Sequence, residues 1–187
     1  MRENLSAARA AELLMQKDNI TLLCHRRPDG DTVGSAFALY YALKELGKEV
    51  RVLCADALPK QYDYLYGDYT PSRVLDWPVE YVVTVDVATA GMLGGLEEKY
   101  GHMVDLCIDH HPSNSDYAAQ TCLWQEAGAC AEPVAAVIMQ RSTIWPYPRP
   151  GRCGWLRRSW KAAWIPPPSI PVFLKAKARP KYWPKPK

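Results

Sequence analysis

Imidazole and carboxylate side chains able to hold a divalent cation occur in three groups, each at the end of an apolar run. The first is His25 with Asp29 and Asp31, in HRRPDGDTVGS; the second is Asp86, in VVTVDVA; the third is Asp109, His110 and His111, in CIDHH. Taken singly, each has a commonplace explanation. A D-G-D is more often a turn, and a strand-end Asp is more often a helix cap or a solvated loop residue. His102 shows that stray histidines occur in this chain. Their shared position changes the weight. If the apolar runs are neighbouring parallel strands, their carboxyl ends line one crevice and the groups converge there. Four carboxylates packed together would raise one another's pKa values unless a cation neutralised them. Oxygen donors with imidazole nitrogens suit Mn2+, Mg2+ or a related divalent ion, whereas a thiolate set would indicate zinc.

The loop at 26–32 suits such a centre. Pro28 stiffens the approach to Asp29, and Gly30 lets the backbone turn so that Asp29 and Asp31 both face inward. Gly34 and Ser35 read as the start of the next helix, where free backbone N–H groups could receive phosphate oxygens. Two cations about 4 Å apart could clamp a phosphoryl group and acidify a bridging water, with no covalent protein intermediate. Asp86 is the best candidate for a ligand shared by both. Nothing comparable supports a Ser or Cys nucleophile.

The elements that must position these groups alternate in period. ITLLCH (20–25), EVRVLCA (49–55), YVVTVDV (81–87) and MVDLCIDHH (103–111) read as strands, the first buried on both faces. VGSAFALYYALKELG reads as a helix with Phe37, Tyr40, Tyr41 and Leu43 near one face, stopping at Gly47. The N-terminal stretch predicts an amphipathic helix with a stripe of Leu5, Ala8, Ala11, Leu13 and Leu14. Another helix starts near 131, with Pro133 tolerated in its first turn. The tyrosine-rich stretch 56–78 reads as a loop with a short helix near 61–66, its tyrosines on the surface or in packing. Strands separated by helical connections imply an α/β fold with a doubly wound, mostly parallel sheet.

The net charge of +3 conceals a division: residues 1–140 hold 11 basic and 20 acidic residues, and residues 141–187 hold 12 basic and none acidic. That second segment also carries five of the seven Trp and ten of the 16 Pro, with no sustained period. We read 1–140 as a metal-binding domain and 141–187 as a basic, aberrant or unfolded tail; the alternative is an arm that binds nucleic acid. The six cysteines form no C-x-x-C pair, which suits buried thiols in a reducing cytoplasm. No apolar run approaches the roughly 18 residues of a membrane span, and the N-terminus lacks the uninterrupted core of a signal peptide. A cytoplasmic protein is the expectation, with a homodimer left open.

H-x-x-P-D-x-D-x-x-G-S at 25–35, the strand-end Asp86 and D-H-H at 109–111 resemble the first three motifs of the DHH (DDH-domain) phosphoesterases. The resemblance covers roughly residues 19–140. The P-D-G-D-x-x-G-S form is most similar to the nano-RNase/pAp phosphatase subgroup, related to RecJ-type exonucleases and family II pyrophosphatases. It implies a manganese-dependent enzyme acting on short oligoribonucleotides or 3′-phosphoadenosine 5′-phosphate. It also implies His25, Asp29 and Asp86 on one metal, and Asp31, Asp86 and His110 on a second. Asp109 would orient its neighbours, and His111 would contact the scissile phosphate. The family's fourth motif would add a further Asp, but no acidic residue follows Glu132. Nor does a counterpart of the family's C-terminal substrate-binding domain follow. The expectation is a site kept in part, with weak or no activity from this chain alone. Other readings are a RecJ-like or pyrophosphatase-like hydrolase, a non-catalytic metal- or nucleotide-binding domain, and a nucleic-acid-binding protein acting through its basic tail.

Deleting residues 141–187 separates the two readings of that segment. We expect affinity for single-stranded oligonucleotides, measured by fluorescence anisotropy against salt, to be unchanged; a salt-dependent affinity lost on deletion would establish the arm.

Overall fold

The computed structural model describes residues 4–66, 69 and 78–140; the basic segment from 141, and the reading of it as a tail, lie outside the described residues. Five short strands form one sheet: β1 (Ile20–Leu23), β2 (Val50–Leu53), β3 (Tyr81–Val85), β4 (Leu106–Asp109) and β5 (Gln120–Leu123). Their order is β2-β1-β3-β4-β5, and every neighbouring pair is parallel. Strand β5 was not expected. Its sequence, QTCL, is half polar, and the crossing that leads to it contains no helix to announce a parallel partner.

Alternate residues of each strand feed two cores. Ile20, Leu22, Val50, Val52, Tyr81, Val83, Val85, Leu106 and Ile108 pack on one face beneath α1 (Ala7–Gln16), α2 (Gly30–Lys44) and α5 (Ala131–Met139). Leu23, Val82 and Cys107 pack on the other with Leu93, Tyr100 and Val104, around α4 (Glu97–Tyr100). A sheet covered on both faces explains the near-continuous apolar runs.

Local chemistry sets the helix ends. Ser6 caps α1 by accepting the Arg9 N–H. The buried stripe of α1 is Ala7, Ala10, Ala11 and Leu14, rotated from the one expected. Ala11 and Leu14 lie at its centre, while Ala8 is half-buried and Leu5 and Leu13, also half-buried, pack at the margin of the core. Helix α2 begins at Gly30, earlier than expected, because Asp29 caps it and accepts the Asp31 and Thr32 amides at 3.0 and 3.1 Å. Thr32 Oγ1 donates to the Val85 carbonyl at 2.9 Å, tying the start of α2 to the end of β3. The helix ends at Lys44, and the chain turns at Gly47 with φ +77.

Both sheet edges are covered. Leu5 N donates to Thr121 O at 2.7 Å, and the Asn4 side chain exchanges two hydrogen bonds with Leu123 at 2.7 and 2.8 Å. On β2, the Tyr69 hydroxyl accepts from Val52 N and donates to Val52 O, both at 2.7 Å. Tyr69 and Tyr66 also pack on Phe37 of α2, with ring centroids 5.2 and 5.3 Å away. A short helix, α3 (Asp63–Tyr66), follows a single turn at Lys60–Tyr62. Among the described residues no helix is long and apolar enough to cross a membrane, and the five cysteines there are free thiols, four of them buried.

Tyr69→Phe keeps the ring and removes both bonds to the edge strand. We expect a loss of about 1–3 kcal/mol, the cost of leaving buried backbone groups unpaired, measured by urea denaturation.

Candidate metal centre

The chain leaves β1 for β2 on one side and reaches β3 on the other, so the sheet's order reverses between β1 and β3. Loops leaving neighbouring strands diverge at such a point and open a crevice at the carboxyl ends. His25 and Asp29 follow β1, Asp86 follows β3, and His110 and His111 follow β4. The sequence's three groups meet there.

Asp86 is the hub. It is 3% exposed, and its backbone sits in the left-handed region at φ +63, which Asp tolerates better than most residues. Its Oδ2 lies 3.7 Å from His25 Nε2, while its Oδ1 lies 3.4 Å from His110 Nε2. Oδ1 is buried and has no hydrogen-bond partner among the described residues. Asp29 Oδ1 completes one side at 3.6 Å from His25 Nε2, and Asp31 Oδ2 completes the other at 3.7 Å from His110 Nε2.

The far ring nitrogens determine how these contacts read. His25 Nδ1 lies 2.7 Å from the Arg26 carbonyl, and His110 Nδ1 lies 3.1 Å from the Ala127 carbonyl. A carbonyl only accepts, so Nδ1 carries the proton in both rings. In the neutral rings Nε2 is then a lone pair facing carboxylate oxygens at 3.4–3.7 Å, too far for hydrogen bonds. Lone pairs facing lone pairs are relieved by a cation between them, and a backbone carbonyl behind the ring is the usual support of a ligating histidine. The donor set of imidazole and carboxylate fits a divalent ion.

Asp31 is more fully engaged. Its Oδ1 accepts from Ser35 Oγ at 3.2 Å and Ala131 N at 3.1 Å, and its Oδ2 accepts from Cys130 N at 2.7 Å. One of roughly four lone-pair sites remains, on the oxygen nearest His110. His25, Asp29 and Asp86 form one group with ligand atoms within 4.8 Å of one another; Asp86, His110 and His111 form another. Asp31 Oδ2 lies beside the second group, 3.7 Å from His110 Nε2, and His111 Nδ1 lies 2.8 Å from Asp109 Oδ1. Asp109 is fully buried, and its Oδ2 accepts from Asn114 Nδ2 at 2.7 Å.

Charges follow the geometry. Burial, then the neighbouring Asp31 carboxylate, pushes the Asp86 pKa up to about 6. Asp29 is held down at about 2 by its contact with His25, and His25 is raised in return by Asp29. Burial works against the His111 cation, but the hydrogen bond and charge of Asp109 outweigh it and raise that group.

Gly34 and Ser35 do not sit where the sequence suggested. The cap at Asp29 moves the helix start to Gly30, so both lie in the second turn, where amides are spent on the helix's own hydrogen bonds. The unpaired amides nearer the loop, those of Asp31 and Thr32, are taken by Asp29. Ser35 is buried, and its hydroxyl supports Asp31. Asn114, the Ala127 carbonyl and the Cys130 and Ala131 amides were not foreseen. Only Asn114 had a side chain to notice, three residues after His111.

Fold and site together define a parallel α/β protein with a two-part histidine–carboxylate centre at the switch point of its sheet. The chain belongs to the DHH family: the model for the DHH family, N-terminal domain, matches residues 19–150. It is 26% identical over 147 residues to the bifunctional oligoribonuclease and PAP phosphatase NrnA of Mycoplasma genitalium, covering 76% of this chain and 46% of that protein. It is 32% identical over 104 residues to the protein of the same name from Thermus thermophilus, covering 45% of this chain and 30% of the other. The chain thus spans less than half the length of these curated relatives. A crystal structure of an exopolyphosphatase-related protein from Bacteroides fragilis shares the fold, with a TM-score of 0.65 and 21% identity. That likeness covers 72% of this chain and 43% of the other.

Asp86 ties stability to pH with an unusual sign. Its folded pKa lies above the unfolded value of 3.8, so the folded state binds the proton more tightly and stability falls as pH rises from about 4 to about 6. In EDTA, Asp86→Asn, which also tolerates left-handed backbone, should match the wild type at pH 4 and exceed it by about 3 kcal/mol at pH 8 in urea denaturation. Any stabilisation gained on adding a divalent cation should be lost in the same variant.

Proposed function

We propose that this chain is the metal-binding half of a phosphoesterase that uses two divalent cations to hydrolyse small nucleotide or short oligonucleotide phosphoesters. The observation that carries the reading is Asp86, a buried carboxylate with one oxygen toward His25 and the other, without a hydrogen bond among the described residues, toward His110. His25, Asp29 and Asp86 would hold one ion, and Asp31, Asp86 and His110 the other. Mn2+ is the ion of choice, with Mg2+ or a similar cation as a substitute. Such ions supply Lewis acidity to a phosphoryl group and lower the pKa of water.

The chain's own residues orient these groups. The Arg26 and Ala127 carbonyls keep both imidazoles turned with Nε2 toward the carboxylates. Asn114 holds Asp109, and Asp109 holds His111 by Nδ1, leaving Nε2 as the atom to meet a phosphate oxygen. The substrate class is supported by the names of the NrnA relatives, oligoribonuclease and PAP phosphatase. Because those proteins are more than twice as long as the matched part, we take substrate affinity to depend largely on their remaining length. We keep the division near residue 140 as part of this proposal, with the metal-binding domain before it and a separate basic segment after it. A cytoplasmic location belongs to the same reading.

Release of phosphate from 3′-phosphoadenosine 5′-phosphate tests it. We expect weak release that requires Mn2+, is abolished by EDTA, and falls to background in Asp31→Ala. Faster turnover of pyrophosphate or single-stranded DNA would move the chain to the pyrophosphatase-like or RecJ-like reading. Failure to bind Mn2+ by calorimetry would end the hydrolase reading altogether.

A further inference from the structure

Residues 127–132 give no side chain to the cluster, yet they hold two of its members. The Ala127 carbonyl accepts from His110 Nδ1 at 3.1 Å, and the Cys130 and Ala131 amides donate to Asp31 at 2.7 and 3.1 Å. All three groups are backbone, so their placement depends on the shape of one tight turn. Glu132 closes that turn: its Oε1 accepts the Gly128 N–H at 2.8 Å, and its own N–H donates to Ala129 O at 3.1 Å. Cys130 Sγ donates to the Ile108 carbonyl at 3.3 Å, fixing the turn against β4. The Cys130 side chain makes no capping bond to α5, so Asp31 caps that helix from α2.

We propose that Glu132 is a positioning residue for the second cation, closing the 127–132 turn so that His110 and Asp31 are fixed in ligating orientation. The inference deepens, and rests on, the two-cation reading above. An acid in the first turn of a helix also has an ordinary explanation, attraction to the helix dipole. That attraction depends on charge, which Gln lacks. The turn-closing bond depends on an acceptor oxygen, which Gln keeps. One substitution therefore separates the two.

The full chain is compared with Glu132→Ala and Glu132→Gln, each labelled with 15N-histidine. Long-range 15N–1H spectra of the metal-free chains at pH 8 report the tautomer of each of the four histidines. Wild type and Gln should show His110 as a single Nδ1–H tautomer, and Ala a mixture, with His25 the same in all three. In Mn2+ calorimetry, Ala should weaken one of two sites roughly tenfold to a hundredfold and spare the other, while Gln stays within about twofold of wild type. The proposal is overturned if Ala keeps the wild-type tautomer and both affinities, or if Gln falls as far as Ala. Should the wild type bind fewer than two ions, the two-cation reading fails, and the metal-free spectra still decide whether Glu132 orients His110.

Discussion

A carboxylate with almost no exposure, placed where two loops part and facing histidines on both sides, sets the terms for the rest of the structure. Charge at Asp86 is disfavoured by burial and by Asp31, and among the described residues Oδ1 has no hydrogen bond to offset it. Such a group is ordinarily eliminated from a core. Its retention in a left-handed backbone conformation, with imidazole nitrogens arrayed around it, makes sense as a socket for positive charge. The parallel sheet provides the socket's position, and the carbonyls of Arg26 and Ala127, behind the rings, orient the imidazoles that line it.

The same carboxylates also hold the fold. Asp29 starts α2 by taking two amides, and Asp31 takes two more at the start of α5, a hundred residues away. A helix N-terminus offers free amides and partial positive charge, so each cap keeps its Asp carboxyl aimed. Fold and centre are therefore assembled from shared parts. A substitution at either residue alters a helix as well as the carboxylate cluster, so its effect is interpretable only beside a stability measurement.

How much of this was legible in the sequence follows from where the information lies. Strands β1 to β4 were apparent because a doubly covered parallel strand must be apolar on both sides, and the chemistry stood at their ends. The convergence of His25, Asp29, Asp31, Asp86 and His110 needed only the rule about carboxyl ends. Strand β5 escaped because QTCL owes its place to β4 and to Asn4, not to its own composition. The start of α2 was misplaced because P-D-G-D reads equally well as a turn. Only the three-dimensional cap shows that the turn is already helix, and with it the amides at Gly34 and Ser35 are spent. The supports of His110 and Asp31 are backbone atoms, which every residue has, so no residue type could mark them.

The hook of Asn4 and Leu5 over β5 has a consequence for how the chain assembles. Asn4 grips Leu123, 119 positions further on, so this edge of the sheet is closed by a contact between two distant parts of the chain. Contacts of that span are slow to close and come late in folding. Until then the β5 margin of the sheet stands bare, and an unpaired margin invites other strands. The few residues before α1 thus act as a latch on the β5 edge.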